Sequence, residues 1–180
     1  MSKLLKNCTY LTFLLATLFA CNPAEPVALS AQNTGFEANF KGSGTGFYTI
    51  DSKTGQLSFM VNYGEQAGQW LRYGNRFREN GTSTLHFKAI ERGANIGTSF
   101  YILDGGTGQL SFMLDYGPGA GTWAGFGNRL RNVAVTEFEA NFTEAGMIFY
   151  VYDGHAKQMH FMQDFGPKAG AWQQYGEDKN

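Results

Sequence analysis

The sequence has very little sulfur or imidazole chemistry. Its 180 residues include two cysteines, Cys8 and Cys21, and three histidines. Both cysteines lie near the start, so the remaining chain forms no disulfide and depends on its own core. A zinc site needs three or four suitably spaced ligands, and only His155 and His160 lie close together. Gly-x-Ser-x-Gly and His-Glu-x-x-His motifs are also absent. We therefore predict a non-enzyme with no metal site, no catalytic residue and no cofactor.

Long hydrophobic runs and a strong charge are also missing. The apolar run near the start of the chain covers residues 11–20, and ten residues are too few to cross a bilayer as a helix. The chain has 14 basic and 15 acidic residues. Without Lys3 and Lys6 these become 12 and 15, a net charge near −3. This balance predicts no binding to nucleic acid or to an anionic membrane surface.

The first 20 residues have the composition of an export signal, with Lys3 and Lys6 before the apolar run. The run ends in Leu18-Phe19-Ala20-Cys21, which resembles the lipobox of bacterial lipoproteins. The resemblance implies cleavage before Cys21, lipidation of Cys21 and anchoring to a membrane of the bacterial cell envelope. The alternative is an ordinary secretory signal cleaved near Ala20 or Ala24.

Residues 21–34 are polar and contain two prolines, so we predict a tether between the lipid and a folded domain. Asn22 stands where an Asp signals inner-membrane retention in many Gram-negative bacteria. The resemblance to lipoproteins therefore favours the outer membrane if the organism has one. Residues 35–180 are predicted to form a single domain.

What the chain does contain is a threefold internal repeat. In each copy a tyrosine precedes a tryptophan by 22 positions, and these are the only tryptophans. The pairs are Tyr48 and Trp70, Tyr101 and Trp123, and Tyr150 and Trp172. The copies cover about residues 35–84, 85–136 and 137–180. A repeat of this kind determines the architecture and implies that a binding site could occur up to three times.

Each copy is predicted to contain four strands. The third strand alternates clearly, with Leu57, Phe59 and Val61 on one face in the first copy. Alternation with period two is typical of a half-buried antiparallel strand. The predicted strands are 36–40, 85–90 and 138–142; then 47–51, 100–104 and 149–153; then 56–63, 109–116 and 158–165; and a fourth strand beginning at each tryptophan. Gly55 and Gly108 close hairpins between strands two and three, whereas Ala156-Lys157 predicts a less regular third turn.

The predicted fold class is all-β, with three four-stranded repeats of about 50 residues and pseudo-threefold symmetry. Twelve strands in three equivalent units resemble a β-trefoil. The Gln69-Trp70 pair resembles the Gln-x-Trp element of ricin-type trefoil lectins. No binding residue is carried over from that family. The alternatives are a β-prism or another antiparallel barrel. The pattern Tyr-x-x-Asp-x-x-Thr-Gly also resembles quinoprotein-type propeller blades, although three blades would close poorly.

Two sets of repeated side chains are candidates for ligand binding. The first is aromatic, since sugar rings present C–H faces that pack on aromatic rings; a core role for the tryptophans is the alternative. The aromatic candidates are Trp70, Tyr73, Trp123, Phe126, Trp172 and Tyr175. The second set is acidic or amidic and could accept sugar hydroxyls, with turn formation as the alternative. These candidates are Asp51, Asn62, Asp104, Asp115, Asp153 and Asp164.

The favoured hypothesis is a non-catalytic, lectin-like lipoprotein with up to three related glycan sites, of which the divergent third is the weakest. A second hypothesis is a structural or protein-interaction lipoprotein that recognises an envelope protein and holds no small ligand. A third is a small glycan hydrolase that uses a pair of aspartates about 5–10 Å apart.

Overall fold

The computed structural model describes residues 26–29, 32–40, 44–93 and 96–175, which contain twelve β-strands. The strands are β1 (Asn33–Phe40), β2 (Thr45–Asp51), β3 (Leu57–Val61), β4 (Leu71–Tyr73), β5 (Leu85–Glu91), β6 (Thr98–Asp104), β7 (Leu110–Leu114), β8 (Ala124–Phe126), β9 (Val135–Thr143), β10 (Gly146–Asp153), β11 (Gln158–Gln163) and β12 (Gln173–Gln174). The predicted signal, Cys21 and half of the predicted tether lie outside the described residues. Within those residues, no helix has the length and apolar character needed to cross a membrane.

The strands form three separate antiparallel sheets, one for each sequence repeat. Sheet 1 has the order β1-β2-β3-β4, sheet 2 the order β5-β6-β7-β8, and sheet 3 the order β9-β10-β11-β12. Each sheet is therefore a simple meander in which consecutive strands pair. A short bridge from Pro26 to Leu71 extends the outer edge of sheet 1. The predicted all-β class with four strands per repeat is confirmed.

The hairpins between the second and third strands share one backbone conformation. Gly55 and Gly108 have φ values of 63° and 67°, in the left-handed region that a return strand needs here. In the third copy Lys157 takes the same conformation, with φ 54°. The third turn therefore keeps the geometry of the other two, contrary to the prediction that it would be less regular. Lys157 bears a steric cost that glycine avoids.

The three sheets are stacked face to face, and sheet 2 lies in the middle. All seven residues of β6 are buried, whereas the equivalent strands β2 and β10 each leave residues partly exposed. Adjacent residues of β6 point to opposite faces. Phe100 accordingly belongs to the core shared with sheet 1, and Tyr101 belongs to the core shared with sheet 3.

Two hydrophobic cores fill the spaces between the sheets. The buried residues of the first core are Tyr48, Ile50, Leu57, Leu85, Phe87, Ala89, Phe100, Ile102 and Met113. Those of the second are Tyr101, Leu103, Leu110, Leu130, Phe138, Ala140, Met147, Phe149, Val151 and Met162. In both cores the face of one sheet that carries the repeat tyrosine, Tyr48 or Tyr101, packs on the opposite face of the next sheet, which carries Phe100 or Phe149. The repeats therefore follow one another along the stack in the same orientation, with the equivalent face always pointing forward.

The sheets converge on their first strands. The Asn39 side chain of β1 donates a hydrogen bond to the Ala89 carbonyl of β5 at 2.8 Å. The Lys88 ammonium on β5 contacts Glu37 of β1 at 3.2 Å and Glu139 of β9 at 2.9 Å. Burial would lower the pKa of Lys88, but the two carboxylates raise it above its usual value. One lysine thus joins the inner edges of all three sheets.

The predicted trefoil is not confirmed, and neither is the prism nor another closed barrel. In the described residues every strand pairs only with strands of its own repeat, and no closure of sheet 3 onto sheet 1 is present. A prism gathers its sheets around one common core, whereas this chain has two cores on opposite faces of sheet 2. Alternation within single strands predicts strands well but does not specify which sheets face each other.

Consecutive repeats are also joined through their backbones. Asn75 follows sheet 1 and donates its N–H to the Gly121 carbonyl at 2.8 Å, while its side chain accepts the Trp123 N–H at 3.2 Å. Asn128 makes the same pair of bonds to Gly170 and Trp172 at the next junction, at 2.7 Å and 3.0 Å. Each asparagine therefore sets the position of the next repeat.

The close approach of glycines at these junctions can be tested. A Cβ at Gly127 (φ 67°) would lie 2.5 Å from the Gly170 carbonyl oxygen. Gly117 (φ 73°) has nothing within 4 Å. We expect both alanine variants to lose about 1 kcal/mol from backbone strain, and Gly127→Ala to lose about 1–3 kcal/mol more from the clash. Urea denaturation measures both; equal losses would contradict the stacked junction.

Replacing the strained lysine should stabilise the third hairpin. Because Lys157 has φ 54°, we expect Lys157→Gly to raise the free energy of unfolding by about 1 kcal/mol. Lys53 is an exposed residue of the first hairpin without a positive φ, so Lys53→Gly should destabilise the protein slightly. Urea denaturation compares the two variants. A loss of stability in Lys157→Gly would show that its backbone is not strained.

Candidate functional site

The three hairpin aspartates act in the turns that follow the second strands. The Asp51 Oδ1 atom accepts hydrogen bonds from the Lys53 and Thr54 N–H groups at 3.0 and 2.8 Å. Asp104 and Asp153 accept the equivalent bonds from Gly106 and Thr107 and from His155 and Ala156. This is the turn-forming alternative that the sequence had left open.

Of the three hairpin aspartates, Asp104 also forms an ion pair in addition to its hydrogen bonds. Its Oδ1 accepts the Ser83 hydroxyl at 2.7 Å, and its Oδ2 lies 3.3 Å from Arg78 Nη1. The Arg78 guanidinium also donates to backbone carbonyls on both sides of the first junction, at Lys53 and Ser83. Burial acts to raise the pKa of Asp104, but these hydrogen bonds and the Arg78 charge hold it below its usual value.

The pKa values of the other two hairpin aspartates, Asp51 and Asp153, are also lowered. The N–H of Ala156 is the main cause that lowers the pKa of Asp153. For Asp51, burial raises the pKa, but hydrogen bonds from Thr54 and Lys53 lower it below its usual value. All three aspartates therefore favour the folded state when they are ionised.

The acidic and amidic residues after the third strands bind backbone N–H groups at the start of the second strands. Asn62 accepts from Thr45 at 2.7 Å. Asp115 accepts from Thr98 at 2.7 Å, and Asp164 accepts from Met147 at 2.8 Å. Because Asn62 makes the same bond as the two aspartates, the charge is not required for this contact.

The three tryptophans are half-buried. Trp123 packs edge-to-face on Phe77 at 5.9 Å beside the first core, and Trp172 packs against the second core. Their indole Nε1 atoms are buried, and neither has a hydrogen-bond partner among the described residues. These contacts favour the core alternative for Trp123 and Trp172. Trp70 belongs to neither core and directly precedes β4 of sheet 1.

Two clefts lie between the sheets, one at each junction. The first has a volume of about 190 Å³ and the second about 200 Å³. Seven repeat-equivalent positions line both clefts. They are Tyr48, Phe59, Val61, Tyr63, Tyr73, Phe100 and Asp115 in the first cleft, and Tyr101, Phe112, Leu114, Tyr116, Phe126, Phe149 and Asp164 in the second. Each cleft takes five positions from one repeat and two from the next.

The clefts combine aromatic walls with a few polar groups. In the first, the Tyr73 hydroxyl lies 3.4 Å from the Leu114 carbonyl, near the Asp115 carboxylate. In the second, burial raises the pKa of Tyr101, and Arg92 lies over the Phe142 ring at 4.2 Å. The Arg92 Nη1 atom is buried without a hydrogen-bond partner in the part of the chain that the structure describes.

Some predicted site residues come together in these clefts and others do not. Tyr73 meets Asp115, and Phe126 meets Asp164, in each case across a junction between two repeats. Asp51 instead lines a separate polar cleft of about 250 Å³ with Arg72 and Arg76. The sequence did not identify Tyr48, Tyr63 or Arg92 as cleft residues, because their neighbours come from a different repeat. The aromatic residue followed by glycine at the start of each glycine-rich turn was the available signal; it is tyrosine in the first two repeats and Phe165 in the third.

Comparison of the chain with protein-family models, with curated proteins and with solved structures gives no match. Within the described ranges, no group of three or more His, Cys, Asp or Glu side chains could hold a metal ion. The site is therefore interpreted from its own geometry.

The hydrogen bonds of Asp104 predict a pH dependence of stability. Its folded-state pKa is lowered, so its contribution is complete above the usual carboxyl pKa and is lost as pH falls below about 4. We expect Asp104→Asn to lose about 1–3 kcal/mol at pH 6, because hydrogen bonds to a charged group are lost. In urea titrations the difference between the two proteins should shrink as the pH falls from 6 towards 2.5, because the Asp104 carboxylate becomes protonated and loses its charge. A constant difference across the pH range would contradict this role.

Proposed function

We propose that this protein is a non-catalytic carbohydrate-binding module that holds glycans in the clefts between its sheets. The observation that supports the proposal is the repetition of one lining pattern, aromatic rings beside a single carboxylate, in both clefts. The C–H faces of a sugar ring pack on aromatic rings, while its hydroxyls donate to a carboxylate. Tyr63 and Asp115 offer these two kinds of contact in the first cleft, and Tyr116 and Asp164 offer them in the second.

The size of the clefts favours a single sugar unit of a longer polymer. Pockets for drug-sized ligands usually measure about 300–1,000 Å³, so clefts of about 190 and 200 Å³ suit something smaller. Two weak sites on one rigid body bind a polymer more tightly than either site alone. The proposal therefore has two sites inside one chain, each built from two repeats, in place of one site per repeat.

The second cleft should favour an acidic sugar. Its Arg92 Nη1 atom is buried and lacks a hydrogen-bond partner among the described residues, and a buried donor without a partner costs free energy. A sugar carboxylate could accept that hydrogen bond with the strength of a charge-assisted pair. The first cleft has no arginine in its lining.

The cellular setting of the proposal comes from the leader sequence. A lipid on Cys21 would anchor the domain in the bacterial envelope, with the outer membrane favoured in a Gram-negative organism. Anchoring close to a glycan layer would raise the effective concentration of a weak ligand. The partners proposed are thus the membrane, through the lipid, and an envelope glycan; nucleic acid is not among them.

A second candidate is a structural or protein-interaction lipoprotein that recognises an envelope protein. The packing of Trp123 and Trp172 against the cores favours it, because those rings are then not available as stacking platforms. Its signature is a protein partner that co-purifies and is retained when the cleft residues are substituted. The hydrolase alternative has weaker support, since Asp51, Asp104 and Asp153 are engaged in their turns.

Carbohydrate binding can be tested with substitutions that the chain itself shows to be compatible with folding. Asp115→Asn and Asp164→Asn keep the oxygen that accepts the backbone N–H, as Asn62 does in the first repeat. On a ligand found by glycan array, we expect each variant to weaken binding at its own cleft about tenfold in titration calorimetry, because a hydrogen bond to a charge is lost.

The matched control is Glu144→Gln, which removes one charge in the exposed β9–β10 turn and should leave binding unchanged. An array and calorimetry without carbohydrate binding at millimolar concentrations would refute the proposal. A ligand whose affinity is the same for all three variants would place its site outside the clefts.

A further inference from the structure

The stack ends in two apolar faces that no other sheet of the described residues covers. The head face is the outer face of sheet 1 and includes Phe36, Ala38, Phe40, Phe47, Met60 and Trp70. The tail face is the outer face of sheet 3 and includes Tyr150, Tyr152, Met159, Phe161, Gln163 and Tyr175. Eight large hydrophobic side chains of the described residues are exposed, and five of them belong to these faces. They are Phe36, Phe40, Tyr152, Met159 and Tyr175, exposed by 63, 71, 39, 43 and 68%.

The residues of the tail face are equivalent to residues of sheets 1 and 2 that are buried by the sheet that follows them. At the first junction Tyr48 contacts Phe100 with ring centroids 5.2 Å apart. At the second junction Tyr101 contacts Phe149 at 5.0 Å. Tyr150 is the equivalent of Tyr48 and Tyr101, and among the described residues no further sheet packs on it. The tail face therefore has the side chains that accept a following sheet.

The residues of the head face are equivalent to residues of sheets 2 and 3 that are buried by the sheet that precedes them. Phe87 and Phe100 stack in sheet 2 with an interplanar angle of 10°, and Phe138 and Phe149 stack in sheet 3 with an angle of 9°. The equivalent pair in sheet 1, Phe36 and Phe47, is also stacked, at 6.0 Å and 27°. The first two pairs lie inside cores, whereas Phe36 is exposed.

The glycines of the junction show the same difference. A Cβ at Gly121 would lie 3.2 Å from the Gly74 Cα atom, and one at Gly170 would lie 3.0 Å from the Gly127 Cα atom. Gly68 is the equivalent glycine of the first repeat, with φ 79°, and has nothing within 4 Å. The first repeat thus has a docking position that no repeat among the described residues occupies.

We infer that a second copy of this chain docks head to tail, with the tail face of each copy packed on the head face of the other. The two internal junctions already show how these faces fit, so the new contact is continuous with an interface that the chain itself uses twice. Both faces are aromatic, and aromatic contacts that exclude water are the main source of affinity at such interfaces.

Two copies form a closed ring. Rings of four-stranded sheets packed face to face close with about four to eight sheets. Each copy contributes three sheets, so two copies give six, which lies in this range, whereas three copies give nine, which does not. The convergence of the sheets on their first strands, where Lys88 joins Glu37 and Glu139, gives the stack the wedge shape that a ring requires. A head-to-tail contact that closes in this way gives a dimer with both contacts identical.

Introduced cysteines test this contact in the full chain. At the first junction a Cβ at Gly35 would lie 2.7 Å from the Phe87 Cβ atom. The equivalent pair at the proposed contact is Glu137 of one copy and Phe36 of the other. Disulfides need Cβ atoms about 3.5–4.5 Å apart, so a small shift suffices. We expect the Glu137→Cys, Phe36→Cys double variant to form a single dimer band on a non-reducing gel after mild oxidation.

The outcomes separate the possible arrangements. Within one chain the two positions lie on opposite ends of the stack, so an internal bond does not compete. Each single variant should stay monomeric on the gel, like the parent chain with Cys8 and Cys21. A double variant that remains monomeric would overturn the proposal. A ladder of higher species would overturn the closed dimer, and dimers of a single variant would indicate a head-to-head or tail-to-tail contact.

Sedimentation of the purified full chain in detergent provides a second measurement. We expect a dimer for the wild-type chain and a monomer for Phe36→Arg and for Tyr152→Arg, because each variant damages both contacts of the ring. Ile96→Arg is the matched control, since Ile96 is 51% exposed but lies in the β5–β6 turn, outside both faces. A wild-type monomer at high concentration, or equal effects of all three variants, would overturn the proposal. Neither experiment depends on glycan binding.

Discussion

The bond pair made by one asparagine after each of the first two sheets determines the rest of this structure. Asn75 and Asn128 each donate to a glycine carbonyl and accept a tryptophan N–H in the following repeat. These bonds hold two backbones so close that only glycine fits at the contact. The sheets are thereby stacked in one register, and the aromatic rings of one face meet the opposite face of the next sheet. The cores and the clefts both follow from that register.

The stacking explains why the interval of 22 residues between tyrosine and tryptophan is constant. Tyr48 faces the next sheet, whereas Trp123 lies beside the core that its own sheet shares with the previous one. Each repeat therefore needs a forward-facing ring and a backward-facing ring at a fixed separation. The interval reflects packing within the stack. The proposed binding positions combine its forward-facing tyrosine with the carboxylate that follows the third strand of the next repeat.

Much of the fold could be predicted from the sequence. Alternation and turn residues gave the four strands of each repeat, and the role of Asp51 in its turn was among the stated alternatives. The stacking could not be predicted, because alternation shows that a strand has two faces but does not show what covers each face. Met60, Met113 and Met162 share a face with serine and histidine, which concealed the burial of Met113 and Met162 in the two cores. The clefts were missed because each combines residues from two repeats.

An open stack whose repeats all point the same way has one junction fewer than it has repeats, so each of its two end faces lacks a neighbour within the stack. Terminal repeats of stacked proteins usually carry polar outer faces that keep the chain soluble. Here the tail face replaces the aliphatic residues of earlier repeats with Tyr152, Met159 and Gln163, and none of these is charged. Tyrosine, methionine and glutamine tolerate water but pack well against aromatic rings. Glu137 and Glu139 add charge at the first strand of this face, where they lie beside Tyr152 and Tyr150. The rest of the face suits a surface that is exposed in the monomer and buried in the assembly that we propose. The third repeat therefore differs from the other two at the face that we propose to be covered by another molecule.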